Sequence, residues 1–217
     1  MLGDHLKPIA LLLGEILNEA GSRFSYTYFP VDCMVSLVAV TEGTDAVEVG
    51  LVGAEGMVGV EVSLGIRVSP ARAVVQAKGN AIRIPSAVMA RTVRANAALR
   101  AEAHRFAYVS MATAMIIAAC NSKHSLESRL ARWLLMTRDR LSTTRFEITQ
   151  EFLAQMLGVR RPALNATATE LQRRGLINHR RGAIRLVDIE GLQALSCNCY
   201  AKIRRLGELP RASAGAN

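Results

Sequence analysis

Residues 148–177 read ITQEFLAQMLGVRRPALNATATELQRRGLI, and residues 178–187 continue as NHRRGAIRLV. Apolar residues recur at helical spacing on both sides of Gly158, which suits the tight turn after a helix C-terminus. Pro162 falls in the first turn of the second helix, where its missing N–H has no partner to lose. Gly175 ends that helix, and two alternating strands follow. The stretch therefore predicts two short helices joined by a turn, followed by a β-hairpin.

This arrangement is a winged helix-turn-helix, a structure that binds DNA by shape and charge. The second helix fits the major groove, where its N-terminal side chains reach base edges while flanking cations contact phosphates. The alternative is an ordinary helical pair whose cations form a solvated face. The residues predicted to contact DNA are Thr149, Gln150, Arg160, Arg161, Asn165, Thr169, Arg173, Arg180 and Arg181.

The charge distribution also points to a polyanionic partner for the second half of the chain. The 217 residues carry a formal net charge of +9. Residues 1–95 hold 8 basic and 9 acidic residues, a net charge of −1, whereas residues 96–217 hold 19 and 9, a net charge of +10. DNA, RNA and an anionic membrane surface would each satisfy this asymmetry. No apolar run reaches the ~18 residues of a membrane span, so we expect no membrane segment.

The first half of the sequence is typical of an all-β barrel or jelly roll. Short β-branched or aromatic runs alternate with turn residues rich in Gly, Asp and Asn. The predicted strands are YTYFP (26–30), MVSLVAV (34–40), AVEVGLV (46–52), RAVVQA (72–77) and NAIRIP (80–85).

Helical periodicity replaces the strand pattern after Pro85. Ser86 is expected to cap a short helix, and residues 97–121 are expected to form a long one. The long helix carries a stripe of apolar and small residues that predicts a dimer seam, although the same stripe could pack on the chain's own β domain. The seam residues are Leu99, Phe106, Val109, Thr113 and Ile116. Two further helices are predicted, at 124–140 with Ser125 as N-cap and at 189–206 as the last helix.

These motifs resemble the CRP/FNR family of bacterial transcription regulators. The resemblance rests on EFLAQMLGVRR (151–161), LQRRGLI (171–177), YFP (28–30), the stretch from Val49 to Gly59, and the stretch from Cys120 to Arg140, and it extends from about residue 5 to 206. It implies an α+β chain with three parts: a cyclic-nucleotide-binding-like β-roll sensor domain over 1–95, a dimerisation helix over 96–122, and a winged helix-turn-helix DNA-binding domain over 123–210.

The family resemblance also implies how the chain works. It predicts a cytoplasmic homodimer that binds double-stranded DNA at a palindromic operator, with RNA polymerase as a further partner. The family usually has a helical segment before the first strand, so we expect the N-terminus to lack one. Arg161 corresponds to a base-contacting position of the family. Pro162 and Ala166 stand where relatives carry base-reading side chains, which predicts a different half-site read by Arg161, Asn165 and Thr169 together.

The predicted effector pocket departs from that of the family's cyclic-nucleotide-binding members. Family members that bind cyclic nucleotides use a Gly-Glu-Leu turn and an Arg-Ser pair. The corresponding effector-pocket residues here are Gly59, Glu61, Arg72 and Ala73. Val60 stands in the Glu position and Ala73 replaces the serine, so cyclic AMP is not expected to bind.

No cofactor, metal or catalytic site is predicted. Cys33 is the only cysteine of the first hundred residues, so the family's iron–sulfur centre would lack ligands. Cys197 and Cys199 would face opposite sides of an unbroken helix and are expected to be structural, as are Cys120 and His124. Glu48, Glu55 and Glu61 are expected to be solvated acids at strand edges and turns, rather than paired catalytic carboxylates.

Two alternatives to a sequence-specific regulator remain open at this point. One is a small-molecule-binding or enzymatic β-roll with an accessory nucleic-acid-binding domain. It is disfavoured because few polar residues converge in the roll. The other is an architectural or RNA-binding protein that would bind all duplexes with similar affinity, whereas a regulator prefers its operator by ~10³ or more.

Overall fold

The structure, a computed structural model, describes residues 2–40, 46–180 and 182–209. The turn expected at 42–45 and the wing residue Arg181 lie outside these ranges. The strands of the N-terminal half are β1 (Lys7–Leu11), β2 (Ile16–Asn18), β3 (Tyr26–Pro30), β4 (Met34–Val40), β5 (Ala46–Val52), β6 (Arg72–Ala77) and β7 (Gly79–Pro85).

These strands form two antiparallel sheets, in the orders β1-β7-β3 and β2-β6-β4-β5. Val35 and Val75 are partners on adjacent strands, and both are completely buried, as is Ile84 of the other sheet. The β-branched residues predicted as strands therefore supply the core of a β-roll. Strand β1 was not predicted, since it pairs with β7, about seventy residues later in the chain.

Two helices follow the roll, α1 (Ser86–Ala95) and α2 (Ala97–Lys123). The prediction that Ser86 caps α1 is wrong, because Pro85 is the N-cap and Ser86 is the first helical residue. Asn96 begins α2 by accepting a hydrogen bond at Oδ1 from the Leu99 backbone N–H at 2.9 Å. A side-chain acceptor at this position satisfies one of the free N–H groups of the first turn.

The remaining elements form the C-terminal unit. Its helices are α3 (Leu126–Leu141), α4 (Gln150–Met156), α5 (Arg161–Arg173), α6 (Ile189–Leu195) and α7 (Asn198–Gly207), and its strands are β8 (Arg145–Glu147), β9 (Ile177–Arg180) and β10 (Ala183–Leu186). Ser125 caps α3 as predicted, accepting from the Ser128 N–H at 3.3 Å. The hairpin β9–β10 is joined by the unpredicted β8, which gives the sheet order β8-β10-β9.

The single last helix predicted over 189–206 is wrong. The chain leaves helical geometry at Ser196 and Cys197, whose ψ angles are 149° and 163°, and α7 starts at Asn198. Neither glycine nor proline lies at this break, so the sequence carried no strong signal for it.

The C-terminal unit packs directly on the roll. Met34 and Leu51 of the roll share one apolar cluster with Trp133, Leu134 and other residues of α3. At the edge of this contact Arg140 of α3 donates from Nε to the Leu51 carbonyl at 3.2 Å and forms an ion pair with Glu55 at 2.9 Å. The two halves of the chain are therefore held by both apolar and polar contacts.

Candidate nucleic-acid interface

Helices α4 and α5 form the predicted helix-turn-helix. Thr149 caps α4 by accepting from the Phe152 N–H at 3.2 Å, and Gly158 adopts a φ of +61° in the turn. Only glycine takes up this left-handed conformation at little cost, which explains the residue at this turn. Leu164 and Leu171 are completely buried on the inner face of α5, with the opposite face left to solvent.

The exposed face of α5 presents the predicted base-reading side chains in one row. Arg161, Asn165 and Thr169 are all exposed and follow at four-residue steps, so they project from the same side of the helix. Gln150 donates from Nε2 to Asn165 Oδ1 at 2.9 Å, which joins the N-terminus of α4 to this row. The structure thus places four of the predicted DNA-contacting residues side by side.

Several cations of this surface are paired with exposed acids. Arg161 lies 3.8 Å from Glu151, and Arg173 binds Glu170 through two hydrogen bonds of 2.7 and 2.8 Å. The hydrogen bonds from Arg173 lower the pKa of the Glu170 carboxyl. Ion pairs this exposed are weak, so a phosphate can displace the carboxylate from either arginine. Arg160, the N-cap residue of α5, is exposed beside them.

The wing carries basic residues that sequence reasoning missed. Arg180, which was predicted at the tip of the hairpin, is the last residue of β9, and Arg145 of β8 and Arg185 of β10 are directly paired across the sheet. All three side chains are exposed, and together with Asn178 they line a shallow cleft. Arg185 could have been found from strand alternation, since it lies between the inward-facing Ile184 and Leu186.

The long helix α2 presents the predicted seam residues to its own roll. Phe106 and Thr113 are buried, and the Phe106 ring lies against Gly56, where no side chain would fit. In the single chain this stripe packs on the chain's own β domain, which is the alternative that the sequence left open. Leu99, Val109 and Ile116 are half-buried on or near the same side.

A second apolar stripe of α2 faces solvent. Tyr108, Met111 and Met115 are 52%, 52% and 63% exposed and lie at three- and four-residue steps. With both faces apolar, α2 is long and apolar enough to cross a membrane by length and composition alone. This is weak evidence of a membrane segment, because a helix covered by protein on two faces has the same composition.

The predicted effector-pocket residues differ in their surroundings. Gly59 adopts a φ of +87° before a 3₁₀ turn, and Ala73 is buried in the core. Arg72 points to the roll's surface, where its Nε lies 2.8 Å from Glu19 Oε2. Glu61 is half-buried, which raises its pKa, and it lines a cavity of about 170 Å³ between the roll and α2.

The roll has another concave site that the sequence did not reveal. A cleft of about 490 Å³ lies between the 3₁₀ turn at Val60–Leu64 and α1. Four arginines line it together with Phe24 and Ser86, namely Arg23, Arg67, Arg91 and Arg94. Its charge and size suit an anionic ligand better than the smaller cavity beside Glu61 does.

The expectation that Glu48 is solvated at a strand edge is wrong. Glu48 lies in the middle of β5 and is 3% exposed. Its carboxylate accepts hydrogen bonds from Ser36 Oγ at 2.8 Å and from Trp133 Nε1 at 3.0 Å. Burial raises the pKa of Glu48 to about 7 despite these bonds and the nearby Arg132. A buried polar network therefore joins the roll to α3.

Four side chains of metal-binding type also converge in the C-terminal half. Cys120, His124, Cys197 and Cys199 bring one ligand atom each to within 4.8 Å of the others. The premise that Cys197 and Cys199 lie on one unbroken helix is wrong, since the break before α7 turns both toward the end of α2. Burial raises the pKa of the Cys199 thiol to about 12, and the neighbouring thiols act in the same direction.

The architecture defines the chain as a β-roll joined by a long helix to a winged helix-turn-helix, and comparison with known proteins identifies the type of the C-terminal domain. Residues 128–195 match the family model of the Crp-like helix-turn-helix domain. No curated protein is similar enough in sequence to count as a match.

Solved structures match over nearly the whole chain. FixK2 of Bradyrhizobium japonicum has a TM-score of 0.76 at 12% identity, covering 88% of this chain and 98% of its own. TTHA1359, a CRP/FNR-family transcriptional regulator of Thermus thermophilus, has a TM-score of 0.68 at 20% identity, covering 88% and 98%. TTHB099, a CRP-family transcriptional regulator of the same organism, has a TM-score of 0.71 at 17% sequence identity, and the match covers 88% of this chain and 96% of TTHB099. Residues 128–195 therefore form a Crp-like helix-turn-helix domain, and the chain shares the fold of these solved structures over most of its length.

Proposed function

We propose that the chain is a cytoplasmic, homodimeric transcription regulator that reads a palindromic operator through α5. The observation that carries this proposal is the exposed row of Arg161, Asn165 and Thr169 on the outer face of that helix. An arginine bidentate to guanine contributes ~1–3 kcal/mol of discrimination, and an asparagine pairs in the same way with adenine. Thr149, Gln150 and the flanking arginines then hold the helix in register through phosphates.

Dimerisation through α2 follows from the stripe that the chain leaves uncovered. Tyr108, Met111 and Met115 form an apolar face that a second copy of α2 would bury, with the small residues Ala112 and Ala119 permitting close approach. We therefore propose this face as the seam, in place of the roll-facing stripe at Phe106 and Thr113. A twofold axis along α2 would present two α5 helices to successive half-sites, which is why the operator should be palindromic.

The roll in this proposal is a sensor for a ligand other than cyclic AMP. Ala73 is buried and has no hydroxyl, Arg72 is engaged with Glu19, and the cavity beside Glu61 is smaller than a typical ligand site. We retain residues 1–95 as sensor, 96–122 as dimerisation helix and 123–210 as DNA-binding domain. RNA polymerase is a proposed partner because a promoter-bound regulator acts where the polymerase initiates.

Selection of bound DNA from a random pool tests the function directly. The selected sequences should share an inverted repeat, and its affinity should exceed that of random duplex by ~10³ or more. Equal affinity for all duplexes would instead identify a charge-driven architectural protein. Repeating the selection with cell extract would show whether a ligand changes the affinity.

A further inference from the structure

We propose that Cys120, His124, Cys197 and Cys199 form a tetrahedral Zn²⁺ site that fixes the C-terminal helices to the end of α2. The Cys120 and Cys197 sulfurs are 3.4 Å apart, and the Cys199 sulfur lies 3.6 Å from His124 Nδ1. With Zn–S of about 2.3 Å and Zn–N of about 2.0 Å, a tetrahedron requires about 3.8 Å between two sulfurs and about 3.5 Å between a sulfur and the nitrogen. Both separations lie within about 0.4 Å of these values, and all four ligand atoms lie within 4.8 Å of one another, so a small shift of the side chains would bring them around a single ion.

The fold builds this cluster from two structural breaks. Cys120 lies on the last turn of α2, and His124, four residues later, ends the helix by donating its backbone N–H to the Cys120 carbonyl at 3.0 Å. On the opposite side Cys197 is the N-cap residue of α7 and Cys199 lies in its first turn. In a continuous helix residues two apart point in nearly opposite directions, so the break is what allows both sulfurs to converge.

The surroundings of the cluster match its expected charge. Three thiolates, a neutral imidazole and a divalent ion carry a net charge of about −1. Arg132 of α3 is only 2% exposed, its Nε has no hydrogen-bond partner, and it lies close enough to influence the Cys120 thiol. Arg129 is a second cation near the same sulfur. A buried guanidinium is stabilised by nearby anions, and a zinc–thiolate centre would supply one in addition to the Glu48 carboxyl.

The donor set favours zinc over other metals. Three sulfurs and one imidazole suit Zn²⁺, and four protein ligands leave no open position, as in structural rather than catalytic sites. An iron–sulfur cluster holds its cysteines around a core of several atoms, whereas these ligand atoms all lie within 4.8 Å of one another. Cys197 is half-exposed and lines a surface cleft with Asn198, which provides a path for the ion.

The position of the site gives it a consequence for DNA binding, and this step rests on the proposed function. The cluster spans the turn between α2 and α3, where Ser128 Oγ also donates to the Leu195 carbonyl at 2.9 Å. A metal here would fix α6 and α7 relative to the proposed dimer helix. The angle between the two α5 helices of a dimer, and hence the half-site spacing that they fit, would then depend on occupancy.

The test is metal binding by the full-length reduced chain. Metal analysis after purification should find about one Zn²⁺ per chain. After chelation, added Co²⁺ should give the intense visible bands of a tetrahedral site and thiolate charge transfer, and Zn²⁺ should displace it. Cys197→Ser and Cys199→Ser should weaken Zn²⁺ binding by at least about tenfold, since loss even of an outer-shell partner costs 10–100-fold. Cys33→Ser, which alters a buried cysteine of the roll, is the matched control and should bind normally.

Three results would overturn the site: no zinc bound by the reduced wild type, zinc retained equally by both ligand variants, or a disulfide between Cys120 and Cys197 in the protein as isolated. Because Cys197 is half-exposed, its serine variant should stay folded by circular dichroism even if the variant of the buried Cys199 does not. Operator affinity is measured separately, with and without Zn²⁺. If zinc binds but leaves operator affinity unchanged, the proposed effect of the metal on DNA binding is wrong, while the proposed regulator function stands. If the chain binds no operator at all, the proposed regulator function is wrong, while the metal site stands.

Discussion

Replacing Glu48 with Gln should make the chain more stable at alkaline pH and should remove part of the pH dependence of its stability. The carboxylate is buried between Ser36 and Trp133, and burial raises its pKa from the ordinary 4.5 to about 7. A glutamine can keep the same contacts: its carbonyl accepts from Trp133, and its amide donates to Ser36 Oγ, which in turn donates to Gln76. The substitution therefore removes the charge while keeping a hydrogen bond to each of the two partners.

The size and the sign of the effect follow from linkage. A pKa raised on folding means that the native state holds the proton more tightly, so this group's favourable contribution is complete below the unfolded value of 4.5. It is lost as the pH rises through about 7. At about 1.4 kcal/mol per pKa unit, the difference between 4.5 and about 7 corresponds to about 3 kcal/mol. The Gln variant should equal wild type near pH ~4 and exceed it by up to about 3 kcal/mol at pH ~8.

Urea denaturation of both proteins across this pH range measures the difference. Glu55→Gln is the matched control, because Glu55 lies at the same boundary, is exposed, and pairs with Arg140. That variant should keep the wild-type dependence on pH. If the difference between wild type and Glu48→Gln does not grow between pH ~5 and ~8, the carboxyl is not buried in the manner described.

Three further predictions concern DNA, assembly and ligand. Arg161→Ala should lower affinity for the selected operator by ~1–3 kcal/mol more than affinity for random duplex, whereas Arg180→Ala should weaken both alike and flatten the salt dependence. Anisotropy titrations across salt decide this, and equal losses for Arg161→Ala would refute the base contact. Met111→Asp should yield folded monomers by light scattering, because the seam would bury an unpaired charge; an unchanged dimer would place the seam elsewhere. Calorimetry with cyclic AMP should show no binding. A micromolar dissociation constant would contradict the argument that Ala73 and the paired Arg72 prevent this nucleotide from binding.

The helix-turn-helix could be predicted because its signals are local. Gly158 and Pro162 mark the turn and the start of α5, and Leu164, Ala168 and Leu171 mark its inner face. The glycine and the proline fix the local backbone, and the three apolar residues repeat with the period of a helix. Their structural roles are therefore visible without knowing the rest of the fold.

The features that escaped prediction depend on partners far along the chain. Glu48 looks like any strand residue until Trp133, 85 residues later, donates to it. The break at Cys197 has no glycine or proline to signal it. The two faces of α2 are both apolar, so periodicity alone could not tell which one the roll covers and which one remains for a second chain.

The shared packing of the roll and the C-terminal unit has a consequence for how the chain folds. Met156 of α4 sits in a cluster with Val38, Ala46 and Val74 of the roll, and a Cβ on Gly158 would lie 3.1 Å from Val47 of β5. Neither half can open without exposing apolar surface of the other. Melting should accordingly be a single cooperative transition rather than two separate steps. An isolated C-terminal fragment would expose to solvent the apolar surface that the roll covers in the full chain.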